Sequence, residues 1–188
     1  MEIKAILFDM VGVLFFKKEN YVPTTQDEIN VENIEKLFNH IDDGKLLKDI
    51  NDKLQLNAEE IEKAVSSIPN KFEPFINLWN LLPKIKKHYK IAVVNNGNSI
   101  ALKFWKEKAD FSIFNLFINS GVLGIKKPDP KIYLLTCEKL GVNPKECLFM
   151  DDSLENIEAA KNLGMKTIWW VEARKKGIYL KEFTNLVH

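Results

Sequence analysis

The opening residues constrain the fold more than any other stretch of the chain. Residues 4–14 (Lys-Ala-Ile-Leu-Phe-Asp-Met-Val-Gly-Val-Leu) form a nearly continuous apolar run. Such a run is typical of a strand buried on both faces, as in parallel sheets that helices cover on each side. Asp9 interrupts it just before a glycine, and a carboxylate at the carboxyl end of such a strand lies where open α/β sheets bind ligands. The run therefore predicts a buried strand that positions a functional acid.

The rest of the chain shows two patterns. Residues 15–21 are mixed and are expected to leave the sheet, and residues 24–67 show only helical periodicity, with a third helix opening at Asn57 and Glu60 in capping-box position. From residue 74, helices alternate with short apolar strands, predicted at 91–94, 116–118, 148–150 and 167–171 and followed by a last helix to the C-terminus. This alternation indicates an α/β fold, a parallel sheet with helices on both faces, that carries a helical insertion.

Composition limits the class of protein further. The 188 residues suit one domain, or one domain with a small insertion. A net charge of +1 gives no long-range attraction to nucleic acid or to an anionic membrane. No apolar run approaches the ~20 residues of a membrane span, and no secretory signal is evident. We therefore expect a cytoplasmic protein, monomeric or dimeric, in which Cys137 and Cys147 are reduced core thiols.

Polar groups follow several of the predicted strands, namely Asp9, Asn95, Asn96, Gly97, Lys127, Asp151 and Asp152. Because the carboxyl ends of parallel strands lie on one edge of a sheet, these groups can meet in one cleft. The carboxylates suit a Mg²⁺ ion, whereas the lysine and the amides suit an anion. The set predicts a phosphoryl-transfer site in which Asp9 could attack phosphorus directly.

Each of these groups also has a purely structural interpretation. Asn95-Asn96-Gly97 is an ordinary turn sequence, and Asp151-Asp152-Ser153 is a good helix N-cap. Asp9 alone could cap a turn, and Lys127 could lie in a solvated loop. The functional interpretation therefore depends on the conjunction of all four features at strand ends.

The same motifs resemble those of the haloacid dehalogenase-like hydrolase superfamily over nearly the whole chain. The four family motifs correspond to residues 8–14, 93–97, 124–133 and 148–156. The resemblance implies a Rossmann-like core in residues 1–15 and 73–188, with residues 16–72 as a small helical cap that covers the site and selects the substrate. It also implies Mg²⁺-dependent hydrolysis of a small phosphate ester through an aspartyl-phosphate on Asp9.

The resemblance further assigns a role to each site residue. Asp9 is the nucleophile, and Lys127 bridges Asp9 and the phosphate. The other phosphate contacts come from Asn95, Asn96 and Gly97. The metal ligands are Asp9, the backbone carbonyl of Val11, Asp151 and Asp152.

Three positions depart from the family pattern. Val11 occupies the place of the second aspartate, the general acid/base of the phosphatases, whose help is typically worth 10²–10⁴-fold in rate. Asn95 replaces the usual Ser or Thr, and Asn156 replaces a further acidic residue of many relatives. Two alternatives therefore stay open: a non-catalytic phosphate-binding or regulatory protein, and a metal-free 2-haloacid dehalogenase. The dehalogenase ranks lowest, because it does not need the Asp151-Asp152 pair and favours an arginine, of which the chain has one, Arg174.

The remaining candidate groups predict no second site. The histidines at 40, 88 and 188 show no ligand spacing, and the basic run at 174–176 is expected to be a solvated face. The four tryptophans are expected in the core or at the cap interface, where one could line the pocket; they are Trp79, Trp105, Trp169 and Trp170.

Overall fold

The computed structural model describes residues 2–37, 43–171 and Phe183. The strands in this part of the chain are Ala5–Phe8 (β1), Phe15–Lys17 (β2), Phe72–Pro74 (β3), Lys90–Asn95 (β4), Leu116–Asn119 (β5), Cys147–Asp151 (β6) and Lys166–Trp169 (β7). The helices are Gln26–Glu35 (α1), Asp43–Leu54 (α2), Ala58–Ser67 (α3), Ile76–Trp79 (α4), Leu82–Ile85 (α5), Leu102–Lys108 (α6), Ser120–Leu123 (α7), Pro130–Leu140 (α8) and Leu154–Asn162 (α9).

A parallel sheet with β1 at its centre organises the molecule. The described strands of this sheet run in the order β5-β4-β1-β6-β7, and each pair is parallel. Phe8, the last residue of β1, pairs with Val93 of β4 and Met150 of β6. Asp9, Asn95 and Asp151 therefore reach the same edge of the sheet. The predicted α/β fold with a parallel sheet is confirmed.

The opening strand divides the core between the two faces of the sheet. Because side chains alternate along a strand, Ile6 and Phe8 point to one hydrophobic cluster and Ala5 and Leu7 to the other. All four are fully buried. The predicted burial of β1 on both faces is confirmed.

A second, two-stranded sheet carries the helical insertion. In this sheet β2 pairs antiparallel with β3, and α1, α2 and α3 lie between these two strands in sequence. Capping boxes begin α1 at Thr25 and α3 at Asn57. The buried faces of the three helices join the cluster on the Phe8 side of the sheet, so the insertion packs against one face of the core.

Three element predictions need correction. The apolar run 4–14 is not one strand, because β1 ends at Phe8 and a turn with Gly12 at φ +99° precedes β2. Residues 72–74 form a strand too short to show a period in the sequence. The last strand ends at Trp169, since Trp170 and Val171 are helical. The predicted C-terminal helix lies outside the described residues except for the buried, helical Phe183.

Two further predictions concern the cysteines and the membrane. Cys137 and Cys147 are buried free cysteines whose Sγ atoms lie 3.6 Å apart. In the described ranges, no helix is both long enough and apolar enough to span a bilayer.

Candidate active site

Asp9 continues the central strand into the site. Its backbone N–H donates to the carbonyl of Met150 at 2.9 Å, so the residue is fixed to β6 even though β1 has ended. The N–H of Met10 donates to Oδ1 of Asp9 at 2.7 Å. These two bonds orient a buried carboxylate at the carboxyl edge of the sheet.

Lys127 joins Asp9 to the neighbouring strand end. Its Nζ atom donates to Oδ1 of Asp9 and to Oδ2 of Asp151, each at 2.7 Å, and its side chain is 1% exposed. The ammonium also lies 5.6 Å from the centre of the Phe149 ring. The buried ammonium is therefore compensated by carboxylates on two sides, whereas two carboxylates around one cation leave the cluster with an excess of negative charge.

The Asn96 side chain holds the backbone of Lys127. Its Nδ2 donates to the Lys127 carbonyl at 2.9 Å, and its Oδ1 accepts from the Lys127 N–H at 2.8 Å. This pair of bonds connects the turn after β4 to the segment after α7. In this arrangement the Asn96 side chain positions the lysine.

The turn after β4 is further fixed by Ser120, which the sequence did not single out. The Gly97 N–H donates to Ser120 Oγ at 3.0 Å, and this hydroxyl donates to the Gly97 carbonyl at 3.2 Å. A Cβ on Gly97 would lie 2.4 Å from Nδ2 of the buried Asn95, so the close approach requires glycine. No spacing rule connects residues 97 and 120; they meet because β4 and β5 are neighbours.

Asp151 ends β6 and is surrounded by donors. Besides Lys127, the Ser153 N–H donates to its Oδ1 at 2.8 Å, and Asn156 Nδ2 lies 3.0 Å and 3.1 Å from its two oxygens. The Asn156 carbonyl accepts in turn from the hydroxyl of Tyr133 at 3.1 Å. The departure at Asn156 therefore supplies a neutral donor to a buried carboxylate.

One carboxylate oxygen each of Asp9, Asp151 and Asp152 lies within 4.8 Å of the other two. Hard oxygen donors at this spacing match the ligands that Mg²⁺ takes in proteins, usually completed by water. The indole Nε1 of Trp169 donates to the Asp152 carbonyl at 2.9 Å and holds that residue in place. The donor set therefore fits a magnesium ion.

The site electrostatics follow from burial and proximity. Burial is the largest influence on Asp9; together with the nearby Asp151 and Asp152 carboxylates it outweighs Lys127 and raises the pKa of Asp9 to about 7. Burial, followed by Asp151, also raises the pKa of Asp152. Burial alone would lower the pKa of Lys127, but the two carboxylates outweigh it and the pKa is raised. Lys127 therefore stays positively charged at neutral pH. The Asp9 carboxyl, without a metal ion, gains and loses its proton near neutral pH.

A cavity of about 290 Å³ reaches Met10 and Val11, the two residues that follow Asp9 in the chain. The carboxylates of the cluster and Lys127 are not among the described residues that line it. Its lining includes Met10, Val11 and the turn residues 95–98. It also includes Ala101, the residue before α6, and Trp105 within α6. The insertion and β3 contribute Glu35, Ile68 and Phe72. Of the four tryptophans, Trp105 is the one among the described residues that line this cavity. Nothing in the sequence indicated that Glu35 and Phe72 line a cavity.

Comparison with known protein families identifies the class of this chain. Residues 3–164 match the model described as haloacid dehalogenase-like hydrolase, so the chain belongs to this family. The superfamily prediction is confirmed, and the protein is a hydrolase of this family with relatives named as phosphatases.

Individual relatives differ in their named reactions. A protein of Clostridium perfringens named as a pyrophosphatase, PpaX, is 30% identical over 183 residues, which cover 88% of this chain and 82% of that protein. A glyceraldehyde 3-phosphate phosphatase of Pyrococcus furiosus is 34% identical over 57% of this chain and 46% of its own. An (S)-2-haloacid dehalogenase of Burkholderia cepacia is 29% identical over 69% of this chain and 51% of its own.

Solved structures agree at the level of the fold. A family enzyme of Bacteroides thetaiotaomicron, solved with magnesium and inorganic phosphate, superposes with a TM-score of 0.69 at 24% identity. The match covers 88% of this chain and 93% of the other. At this identity the likeness concerns the fold alone.

Proposed function

We propose that this protein is a Mg²⁺-dependent phosphatase that hydrolyses a small phosphate ester through an aspartyl-phosphate on Asp9. The observation that carries the proposal is the position of Lys127, whose ammonium contacts Asp9 and Asp151 at 2.7 Å while Asp152 completes the acidic cluster. A nucleophile, a fixed cation and metal-binding carboxylates at one edge are the parts that phosphoryl transfer needs.

In the proposed first step, a carboxylate oxygen of Asp9 attacks phosphorus and the ester P–O bond breaks. The leaving oxygen takes its proton from water, since the Val11 side chain has none to give. Water then attacks the aspartyl-phosphate, releasing inorganic phosphate and regenerating Asp9. Lys127 keeps its charge throughout and offsets the negative charge that gathers on the phosphoryl oxygens.

The turn after β4 would hold the phosphate. Asn95, Asn96 and Gly97 line the cavity beside Asp9, which supports this role. Because the Asn96 side chain already binds the Lys127 backbone, its main-chain N–H is the group proposed to face phosphate. The Gly97 N–H would exchange its bond with Ser120 for one to a phosphoryl oxygen.

The proposed metal ligands are Asp9, Asp151, Asp152 and the backbone carbonyl of Val11. When bound, Mg²⁺ would neutralise charge on the phosphoryl group. The nucleophilic attack on phosphorus would come from Asp9. Asn156 and the Ser153 N–H hold Asp151 in the orientation that such a ligand requires.

We also propose that residues 16–72 act as the cap and that residues 1–15 and 73–188 form the catalytic core. Glu35, Ile68 and Phe72 support this division, because these residues of the insertion line the same cavity as the phosphate turn. Two contacts join the insertion to the start of α6: Asp43 accepts from Ser99, and Glu62 pairs with Lys103.

The test is phosphate release from 4-nitrophenyl phosphate with and without Mg²⁺. We expect activity that requires Mg²⁺ and that Asp9→Asn abolishes, while Asp52→Asn, the same change on the exposed end of α2, retains it. Full activity of Asp9→Asn would refute the mechanism. Absence of turnover despite Mg²⁺ and phosphate binding would favour the non-catalytic alternative, and halide release from a 2-haloacid in chelator would favour the dehalogenase.

A further inference from the structure

The cavity beside Asp9 has a size that limits its ligand. Its volume of about 290 Å³ lies just below the roughly 300–1,000 Å³ of typical small-molecule sites. Part of its lining is the turn at residues 95–97, which is the proposed phosphate subsite. The remaining space suits a compact group attached to that phosphate.

Aromatic and aliphatic side chains give the cavity an apolar surface. Trp105 packs edge-on against Phe15 with ring centres 5.1 Å apart, and its ring centre lies 5.4 Å from that of Phe72. Ile68 and Val11 extend this surface. Val11 thus adds a hydrocarbon surface next to Asp9, at the position where the family pattern has a carboxylate.

Glu35, at the end of α1, is the one charged side chain among the described residues that line the cavity. Its carboxylate pairs with the ammonium of Lys71. The Glu35 side chain is 29% exposed and that of Lys71 is 4% exposed, and Lys71 is not part of the described lining. A ligand in the cavity would therefore meet the acidic member of the pair before the buried lysine.

We propose that the substrate is a phosphate monoester whose organic part is small, apolar and free of a second negative charge. That part contacts the apolar surface to which Trp105, Phe72 and Val11 contribute. Glu35 disfavours esters that carry a carboxylate or a second phosphate. The inference rests on the proposed phosphatase function and names the substrate class of the same site. It makes Glu35 a specificity residue that acts on charge.

Two esters that differ by one charge test the proposal on the unmodified protein. Phenyl phosphate and 3-carboxyphenyl phosphate have phenol leaving groups of similar acidity, so a difference in kcat/KM reports recognition. We expect phenyl phosphate to be favoured on the order of tenfold or more. Equal or reversed preference between the two phenyl esters would overturn the proposal.

A variant then assigns the preference to its residue. Glu35→Gln is expected to reduce or reverse the phenyl to 3-carboxyphenyl ratio, because it removes the facing anion and uncovers Lys71. Glu59→Gln, the same change at an exposed ion pair with Lys63 within α3, is expected to keep the wild-type ratio. An unchanged ratio in folded Glu35→Gln would overturn the role of this residue. If that variant does not fold, Glu35→Gln with Lys71→Met removes both charges and is measured in the same way.

Acetyl phosphate distinguishes failure of the proposed substrate class from failure of the proposed phosphatase function. It has a reactive leaving group and little apolar surface, so its Mg²⁺-dependent hydrolysis reports the chemistry alone. Turnover of acetyl phosphate that is lost in Asp9→Asn, together with no preference between the phenyl esters, would overturn the substrate class and keep the phosphatase. Absence of turnover on every ester would overturn both.

Discussion

Val11 lies two residues after Asp9 and lines the cavity with apolar atoms. General acid–base help is typically worth 10²–10⁴-fold, or about 3–5 kcal/mol of barrier at ~1.4 kcal/mol per decade. Without it, the rate of the first step should depend strongly on the stability of the leaving group as an anion. In the proposed mechanism, this single side chain therefore decides which phosphate esters are cleaved quickly.

Val11→Asp should place a proton donor near Asp9, the proposed nucleophile. We expect kcat for an ester with a poor leaving group, such as phenyl phosphate, to rise toward the 10²–10⁴-fold range, with a smaller gain for 4-nitrophenyl phosphate. The control is Val11→Asn: asparagine has nearly the size and polarity of aspartic acid but no acidic proton, so this variant should give no such gain. Equal effects of the two variants would show that the position does not support proton transfer.

At the scale of elements, the turn between β1 and β2 brings the segment after Asp9 against the acidic cluster. Gly12 has φ +99°, and a Cβ placed on it would lie 2.3 Å from Oδ2 of Asp152. The turn therefore needs glycine both for its backbone conformation and for the approach of the carboxylate from β6.

Gly12→Ala is expected to weaken Mg²⁺ binding by displacing the Asp152 carboxylate. A loss of on the order of 10–100-fold in affinity would match disturbance of a metal ligand by its neighbour. Gly124→Ala is the matched control: φ there is +68°, and nothing lies within 4 Å of the added Cβ. Both variants should lose roughly 1–2 kcal/mol of stability from the left-handed backbone, so calorimetric Mg²⁺ titration separates them. Equal affinities would exclude the steric contact.

At the scale of the whole molecule, the buried acid of the site links stability to pH. The pKa of Asp9 is raised by burial from 3.8 to about 7 in the folded chain. Between these values the folded protein holds more protons at this site than the unfolded chain. Without metal, the contribution of Asp9 to stability therefore falls as pH rises from about 4 to about 7. A metal ion needs the ionised form, so its stabilising effect should have the opposite trend.

Mg²⁺ should therefore raise Tm at pH 8 and much less at pH 5.5. At a free Mg²⁺ concentration ten times the Kd, binding raises the free energy of unfolding by about 1.4 kcal/mol. For a chain of this size, that corresponds to an increase in Tm of roughly 3–6 °C. Thermal unfolding in MgCl₂, compared with NaCl at equal ionic strength, measures the shift. Asp9→Asn should remove most of it at both values of pH. A shift of equal size at pH 5.5 and pH 8 would argue against Asp9 as a ligand.

The sequence alone determined the type of fold and the edge at which the site forms. Apolar periodicity is a local property, so the run before Asp9 and the run before Asp151 each predicted a buried strand. The parallel arrangement then placed both acids on one edge. Glycine and capping signals, such as Asn57 with Glu60, fixed helix ends for the same local reason.

Only the tertiary structure decided which partner each polar group takes. Asn96 holds the Lys127 backbone, Ser120 holds Gly97, and Glu35 pairs with Lys71 across 36 positions of sequence. These contacts depend on how distant elements pack, and no spacing in the chain encodes them. The apolar cavity beside Asp9 arises in the same way, because the insertion and α6 bring Phe72 and Trp105 together only in the folded protein.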